Sequence, residues 1–178
     1  IHFASRDAMD ITGLGEAIIE ELIARGLISN ITDLYKLTLE DVASLKKNGK
    51  KFAQNLIDAI EASKHRDLYR LVNALGIRHV GVKLAKSLCK TYDTMDKLME
   101  ASFESLYMNE EIGKIIAESI YNFFREEQTI DLINKLKEYG VNMVAQKEEG
   151  ADERFAGQTF VLTGTLEKYS REEASDVI

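Results

Sequence analysis

The feature that most constrains this chain is a repeat marked by four regularly spaced glycines. Gly15, Gly49, Gly81 and Gly113 follow one another at intervals of 34, 32 and 32 residues. In each copy the residues three, four and seven places after the glycine are apolar, and this spacing marks one face of an α-helix. A fixed period of this length predicts small helical units that bury their apolar faces against one another.

The third copy, in the stretch 74–89, shows the pattern most fully and predicts a helix, a tight turn and a second helix. We expect Val80 to point into the core and Gly81 to adopt the positive φ of a tight turn. A helix that begins directly after such a turn has backbone amides without a partner inside the helix, so it can bind an anion.

Composition limits what the chain can do. Of the 178 residues, 45% are hydrophobic, which is enough for a sizeable core, and no apolar run is long enough to span a membrane. The single cysteine, Cys89, excludes an internal disulfide and a cysteine-cluster zinc site, and we expect it to be a core thiol in a cytoplasmic protein. The formal net charge of −7 argues against a generally basic nucleic-acid binder, so phosphate contacts must come from local clusters.

Two of the four turns carry such clusters. Four lysines surround Gly49, and Arg78, Lys83 and Lys86 surround Gly81. Lysines at the start of a helix oppose its macrodipole, and an anion bound there would relieve this repulsion. For the second turn these lysines are Lys46, Lys47, Lys50 and Lys51.

The first and fourth turns differ from these. The first has Gly13 as well as Gly15, and its helix is predicted to end at Gly26. In the fourth turn Glu110 and Glu111 precede the glycine, and Lys114 is the cation placed to meet a phosphate. We therefore interpret the fourth turn as mainly structural.

Three histidine and arginine positions have two interpretations each. His79 is either an exposed turn residue without a role or a DNA contact, and no carboxylate or second histidine lies at metal-ligand spacing from it. His2 and Arg6 either face DNA or form salt bridges with Asp7 or Asp10.

The composition changes after residue 144. Residues 145–157 are polar and acidic and predict a linker. Residues 158–163 alternate as in a β-strand, and a capping box at Ser170 predicts a helix after it. One strand and one helix do not make a domain, so the chain is expected to stop inside a second one.

Four blocks of residues resemble bacterial NAD-dependent DNA ligases. They are HFASRDAMDI at 2–11, GLG at 13–15, ALGIRHVG at 74–81 and TFVLTGTL at 159–166. The resemblance implies an all-α domain over 1–144 with four helix-hairpin-helix motifs in two pseudo-symmetric pairs. It also implies a linker at 145–157 and, at 158–178, the truncated α/β strand-helix start of a BRCT domain.

The resemblance also implies a function. Enzymes of this family seal nicks in double-stranded DNA during replication and repair, with NAD as the AMP donor, and they act as cytoplasmic monomers. The NAD site, a divalent metal such as Mg²⁺ and a structural zinc belong to domains outside this segment. No lysine motif for nucleotidyl transfer is found here, so the segment is expected to be non-catalytic and to hold the DNA backbone across the minor groove, on both sides of the nick.

Site residues follow from the resemblance and from charge. The glycines expected to face phosphates are Gly13, Gly15, Gly49, Gly81 and Gly113. The side chains placed beside them by charge and position are Lys50, Lys51, Arg78, His79, Lys83 and Lys114. Lys47 and Asn48 replace the glycine and the apolar residue of an ideal turn, so the contacts of the second hairpin are the least well defined.

Two other functions remain open at this point. The chain could be a helical hairpin module of another DNA repair protein, or a protein-interaction domain, which the acidic net charge favours. Phosphate contacts predict a steep loss of binding with salt, whereas apolar association predicts a flat response. The unpaired strand at 159–163 also predicts possible self-association.

Overall fold

The computed structural model describes residues 1–46 and 49–146, and its first compact unit runs from Ile1 to Gln146. Lys47, Asn48 and residues 147–178 lie outside the described residues. The predictions of a strand at 158–163, a helix after Ser170 and most of the linker therefore fall outside them as well.

The described part is helical, as predicted. It contains 3-10 helices at His2–Ala4 and Ile31–Lys36, and an isolated antiparallel bridge between Thr94 and Val144 in place of any strand. Its α-helices are α1 Glu16–Ala24, α2 Leu39–Ala43, α3 Lys50–Ser63, α4 Leu68–Ala74, α5 Val82–Thr91, α6 Met95–Glu100, α7 Phe103–Tyr107, α8 Lys114–Phe123 and α9 Glu127–Glu138.

The repeat corresponds to α1, α3, α5 and α8, each of which begins one residue after an aligned glycine. Their apolar faces are buried as the spacing predicts. The residues seven places after the glycines are at most 1% exposed: Leu22, Leu56, Leu88 and Ile120. Ala53, Ala85 and Ala117, four places after, are fully buried, and their small size lets α3, α5 and α8 pack closely against α2, α4 and α7.

Local signals fix where several elements begin and end. Thr38 and Asp41 form a reciprocal capping box, in which Thr38 donates to the Asp41 carboxylate and lowers its pKa. Gly26, predicted to end its helix, adopts φ of 70° directly after the cap of α1, and Gly140 adopts φ of 82° in the same place after α9.

Hydrogen bonds connect the first ten residues to α4. Asn73 donates its side-chain amide to the carbonyl of Asp7, and Arg70 donates to the carbonyls of Arg6 and Ala8. His2 Nε2 lies 2.8 Å from the carbonyl oxygen of Asn73. The alternative of a salt bridge from His2 or Arg6 to Asp7 or Asp10 is not found among the ion pairs of the described residues, because Asp10 pairs with Arg66 instead, with 2.7 Å between Nη2 and Oδ2.

Residues 141–146, which we call the strap, join two distant junctions of the fold. The Asn142 amide NH₂ donates to the carbonyl of Arg66, and its backbone N–H donates to the carbonyl of Lys64. Gln146 donates to the carbonyl of His65. These bonds hold the strap on the junction between α3 and α4.

The other edge of the strap contacts the turn before α6. The backbone N–H of Met95 donates to the carbonyl of Met143, and that of Ala145 donates to the carbonyl of Asp93. Val141 and Met143 are buried beneath these bonds. Residues 145 and 146, predicted as the start of the linker, are therefore bound to the helical unit, because their polar groups find backbone partners on it.

We predict that Asn142→Ala lowers the free energy of unfolding by about 1–3 kcal/mol, because it removes side-chain hydrogen bonds and leaves the part-buried carbonyl of Arg66 without this donor. A thermal or urea melt measures the loss. Asn122→Ala on the exposed surface of α8 is the control, and a surface change of this kind should stay within about 0.5 kcal/mol. Equal stabilities for the two variants would show that the side chain of Asn142 adds nothing to the fold.

Candidate nucleic-acid interface

The α-helices of the described residues begin in three ways: after a residue whose side chain caps the first turn, after a glycine, or, as α4 and α9 do, after an acidic residue that makes no side-chain cap. The 3-10 helix Ile31–Lys36, α2, α6 and α7 begin at residues whose side-chain oxygens accept hydrogen bonds from first-turn amides. These capping residues are Asn30, Thr38, Thr94 and Ser102. By contrast, α1, α3, α5 and α8 begin at the aligned glycines and have no side-chain cap.

This difference leaves hydrogen-bond donors available at the four glycine-capped helices. The first-turn amides of a helix have no partner inside it, and the helix dipole adds positive potential at the same end. An anion that approaches the glycine can therefore accept these N–H groups.

Three of the glycines are not required by the fold. Gly15, Gly81 and Gly113 have φ of −80°, −97° and −73°, values that any residue can adopt. A Cβ at any of them would meet nothing within 4 Å. A missing side chain at an open, unstrained position leaves room for another molecule to approach the backbone closely.

The positive φ expected of Gly81 is instead found at His79, where φ is 68°. The expectation for Gly81 was wrong because the turn reverses two residues earlier, so that Val80 can enter the core with 6% of its surface exposed. His79 is itself exposed.

The other two predicted site glycines have roles inside their turns. Gly13 has φ of 92°, which favours glycine. Gly49 is buried, and a Cβ there would lie 2.7 Å from the carbonyl oxygen of Ala43 and 2.8 Å from that of Lys46. The second turn therefore needs a glycine for steric reasons.

Cations lie at the start of three of these helices. Lys50 and Lys51 are exposed in the first turn of α3, Lys83 in that of α5 and Lys114 in that of α8. No acidic residue occupies the first turn of these three helices, whereas α1 begins with Glu16.

Three further cations of the predicted clusters have contacts of their own. Arg78 is exposed in the third turn. Lys46 Nζ lies 4.0 Å from the centroid of the Phe52 ring, and Lys86 Nζ lies 5.0 Å from that of Tyr69. These cation–π contacts orient the ammonium groups but leave their charge in place.

The structure brings the third and fourth turns together. Ser119 of α8 donates a hydrogen bond of 2.9 Å to the carbonyl of Arg78. Beside this contact a groove of about 440 Å³ is lined by Gly81, Lys83, Leu84 and Glu111. The sequence spacing contained no signal for this contact, because it joins residues 41 positions apart in the chain.

Residues 1–46 and 49–146 contain neither a candidate metal site nor a membrane-spanning helix. These residues contain no group of three His, Cys, Asp or Glu side chains that could hold a metal ion. Their helices include none that is long and apolar enough to cross a membrane. Cys89 is a buried thiol, as predicted, and burial raises its pKa to about 12.

Two family models match the chain. Residues 5–62 match a SAM-like helix-hairpin-helix tandem, and residues 70–133 match a helix-hairpin-helix motif. Together with the glycine-capped helices, these matches define the class: the chain contains helix-hairpin-helix motifs.

The chain is also similar over its whole length to proteins named DNA ligase. It is 50% identical over 178 residues to the one from Thermoanaerobacter pseudethanolicus and covers 27% of that protein. It is 46% identical over 181 residues to the one from Anoxybacillus flavithermus, and it covers 27% of that protein too. The chain thus spans about a quarter of these relatives' length. The resemblance to DNA ligases inferred from the sequence is confirmed.

We predict that Gly81→Ala keeps or raises stability, by up to about 1 kcal/mol, because its φ suits alanine and the methyl group meets open space. His79→Gly should also stabilise the chain, by about 1 kcal/mol, because it relieves a left-handed residue. Thermal melts of both variants beside the unchanged chain measure these shifts. A clear loss of stability in Gly81→Ala would mean that the fold itself requires this glycine.

Proposed function

We propose that this chain binds the phosphate backbone of duplex DNA without reading its sequence, as one part of a DNA ligase. The observation that carries the proposal is the set of four helices that begin at glycines without side-chain caps. Four other helices have Asn, Thr or Ser caps, and α4 and α9 lack a side-chain cap but begin after Asp67 and Glu126. The four repeat turns therefore differ from the rest in having a glycine, with no side chain, beside their open amides. Contacts of backbone amides and lysines with phosphates position a protein on DNA but carry no sequence information.

We further propose that the four turns belong to four helix-hairpin-helix motifs in two pseudo-symmetric pairs. The regular glycine spacing and the packing of α3, α5 and α8 on the short helices before them support this. Two linked pairs can hold the two strands across the minor groove, on both sides of a nick. A nicked duplex is therefore the proposed partner.

The distribution of charge suggests which hairpins bind most strongly. Lys50 and Lys51 lie in the first turn of α3 and Lys83 in that of α5, while Glu16 lies in the first turn of α1 and Glu111 in the fourth hairpin turn. We propose that the second and third hairpins supply most of the phosphate binding. The first and fourth contribute mainly their backbone amides.

For the whole protein we propose a NAD-dependent DNA ligase that is monomeric and cytoplasmic and acts in replication and repair. The name of the relatives supports ligation. NAD, a divalent metal and a structural zinc would bind in other parts of such a protein, and residues 158–178 would begin a BRCT domain. Incubation of this chain with NAD should give no covalent AMP adduct by mass spectrometry, and an adduct would contradict the non-catalytic role.

A protein-interaction role is the second candidate. Tyr107, Met108 and Ile115, near the fourth turn, are 54%, 83% and 69% exposed. Glu110 and Glu111 lie in the same turn. An apolar and acidic surface of this kind suits a protein partner better than DNA, and binding to such a partner would depend little on salt.

We predict that changing both Lys50 and Lys51 to Ala weakens binding to every duplex sequence about equally. The slope of log affinity against log salt should flatten by up to about 2 units, because each lysine that neutralises a phosphate contributes about 0.9. Fluorescence anisotropy with a nicked duplex at several salt concentrations gives the slope.

The matched control changes Lys90 and Lys135, two exposed lysines outside the aligned turns, to Ala. It removes the same net charge and should leave the slope nearly unchanged. If both double variants lower the slope equally, the DNA-binding surface has been assigned to the wrong face of the protein.

We predict that Gly81→Ala weakens duplex binding by about tenfold, because its methyl group keeps a phosphate from the first amides of α5 and a hydrogen bond to a charged group is lost. Gly113→Ala, at the fourth turn, is the comparison and should have a smaller effect. Anisotropy and melting are measured on the same samples. Normal binding by a folded Gly81→Ala variant would exclude close contact at this turn.

A further inference from the structure

The groove between the third and fourth turns contains a cation and a carboxylate that face each other. Lys83 Nζ lies 3.9 Å from Glu111 Oε1, and the two side chains are 94% and 45% exposed. Lys83 is the second residue of α5, two places after Gly81. A cation placed to meet a phosphate at the third turn therefore has an anionic neighbour within its own protein.

The position of Glu111 is fixed by its own turn. Its backbone N–H donates to the side-chain oxygen of Asn109 at 3.0 Å. Ile112, the next residue, is 3% exposed and donates its N–H to the carbonyl of Asn109 at 2.9 Å. The bond from Ser119 to the carbonyl of Arg78 holds α8 against the third turn. The backbone at Glu111 is thus held by the hydrogen bonds to Asn109 within its own turn, and α8 is held against the third turn by the bond from Ser119.

We propose that Glu111 competes with DNA phosphate for Lys83 and so limits the affinity of the third hairpin for duplex DNA. This inference rests on the proposed function. A phosphate that reaches Lys83 must displace or accommodate the Glu111 carboxylate, which carries charge of the same sign. The carboxylate weakens phosphate binding at this turn while leaving the lysine exposed and charged.

The second hairpin has no counterpart to this arrangement among its described residues. The first turn of α3 holds Lys50 and Lys51 and no acidic residue, and neither lysine is in a described ion pair. The two lysine-bearing hairpins would then hold DNA unequally. The second would bind phosphate at full strength, and the third would bind it more weakly and release it more readily.

The size of the effect follows from the exposure of the pair. Exposed ion pairs in proteins couple weakly, and their usual range corresponds to a change in affinity of about 1.4- to 5-fold. We therefore expect Glu111→Gln to tighten duplex binding by about two- to five-fold. Glutamine keeps the size of the side chain and removes its charge.

A double-mutant cycle separates this local effect from general repulsion between the acidic chain and DNA. Glu111→Gln is made in the unchanged 178-residue chain and again together with Lys83→Met. Glu110→Gln is the matched control, because Glu110 is the exposed neighbour in the same turn and its change removes the same charge. Each variant is titrated against a fluorescein-labelled nicked duplex at fixed salt, and a thermal melt checks its fold.

The inference expects that the gain from Glu111→Gln exceeds that from Glu110→Gln and that it disappears when Lys83 is Met. A gain from Glu110→Gln should be similar with and without Lys83. If Glu111→Gln acts equally in both backgrounds, or no more strongly than Glu110→Gln, the inference is overturned while the proposed function stands. If the unchanged chain shows no salt-dependent binding to the duplex, the proposed function fails first and takes this inference with it.

Discussion

The first-turn amides of a helix need hydrogen-bond partners, and this requirement organises the whole chain. Side-chain oxygens of Asn, Thr and Ser supply the partners at four of the other helices, while α4 and α9 have no side-chain cap. At α1, α3, α5 and α8 a glycine stands in the capping position and supplies none. Substituting a capping Ser, Thr or Asn typically costs about 0.5–2 kcal/mol, or only a few tenths when glycine replaces it. Glycine thus leaves the amides open at little cost to the fold.

Open amides bind a ligand well only if the turns that carry them are rigid. The apolar faces of the same helices make the turns rigid, because their side chains are buried in the core. These side chains include Leu22, Leu56, Leu88 and Ile120. The strap adds a second constraint, since Asn142 and Gln146 bond to the junction between α3 and α4. The repeat therefore buries the apolar face of each helix and leaves the backbone amides at its N-terminal end open.

Much of this could be predicted from the sequence, because periodicity and caps are local. The starts of α1, α3, α5 and α8 follow from the glycines, and the capping role of Thr38 follows from Asp41 three residues later. The conformation of the third turn could not be predicted, because which residue takes the positive φ depends on how Val80 reaches the core. The contacts of the strap and the bond from Ser119 to Arg78 could not be predicted from the sequence either, since they join residues far apart in the chain. The same holds for the approach of Glu111 to Lys83, which joins two separate turns.

The acidic net charge of −7 does not by itself oppose the proposed DNA binding by these turns. At physiological ionic strength the Debye length is about 8 Å, so carboxylates beyond that distance from a bound phosphate are largely screened. The electrostatic potential at a bound phosphate would therefore depend mainly on charges in the nearest turn. At the second turn these are Lys50 and Lys51, which lie beside open backbone amides. By the same argument, a carboxylate close to a turn affects phosphate binding there far more than one of the distant carboxylates that contribute equally to the net charge. Glu111, at 3.9 Å from Lys83, lies well inside the screening distance, and this is why we propose that one carboxylate can weaken phosphate binding at the third turn.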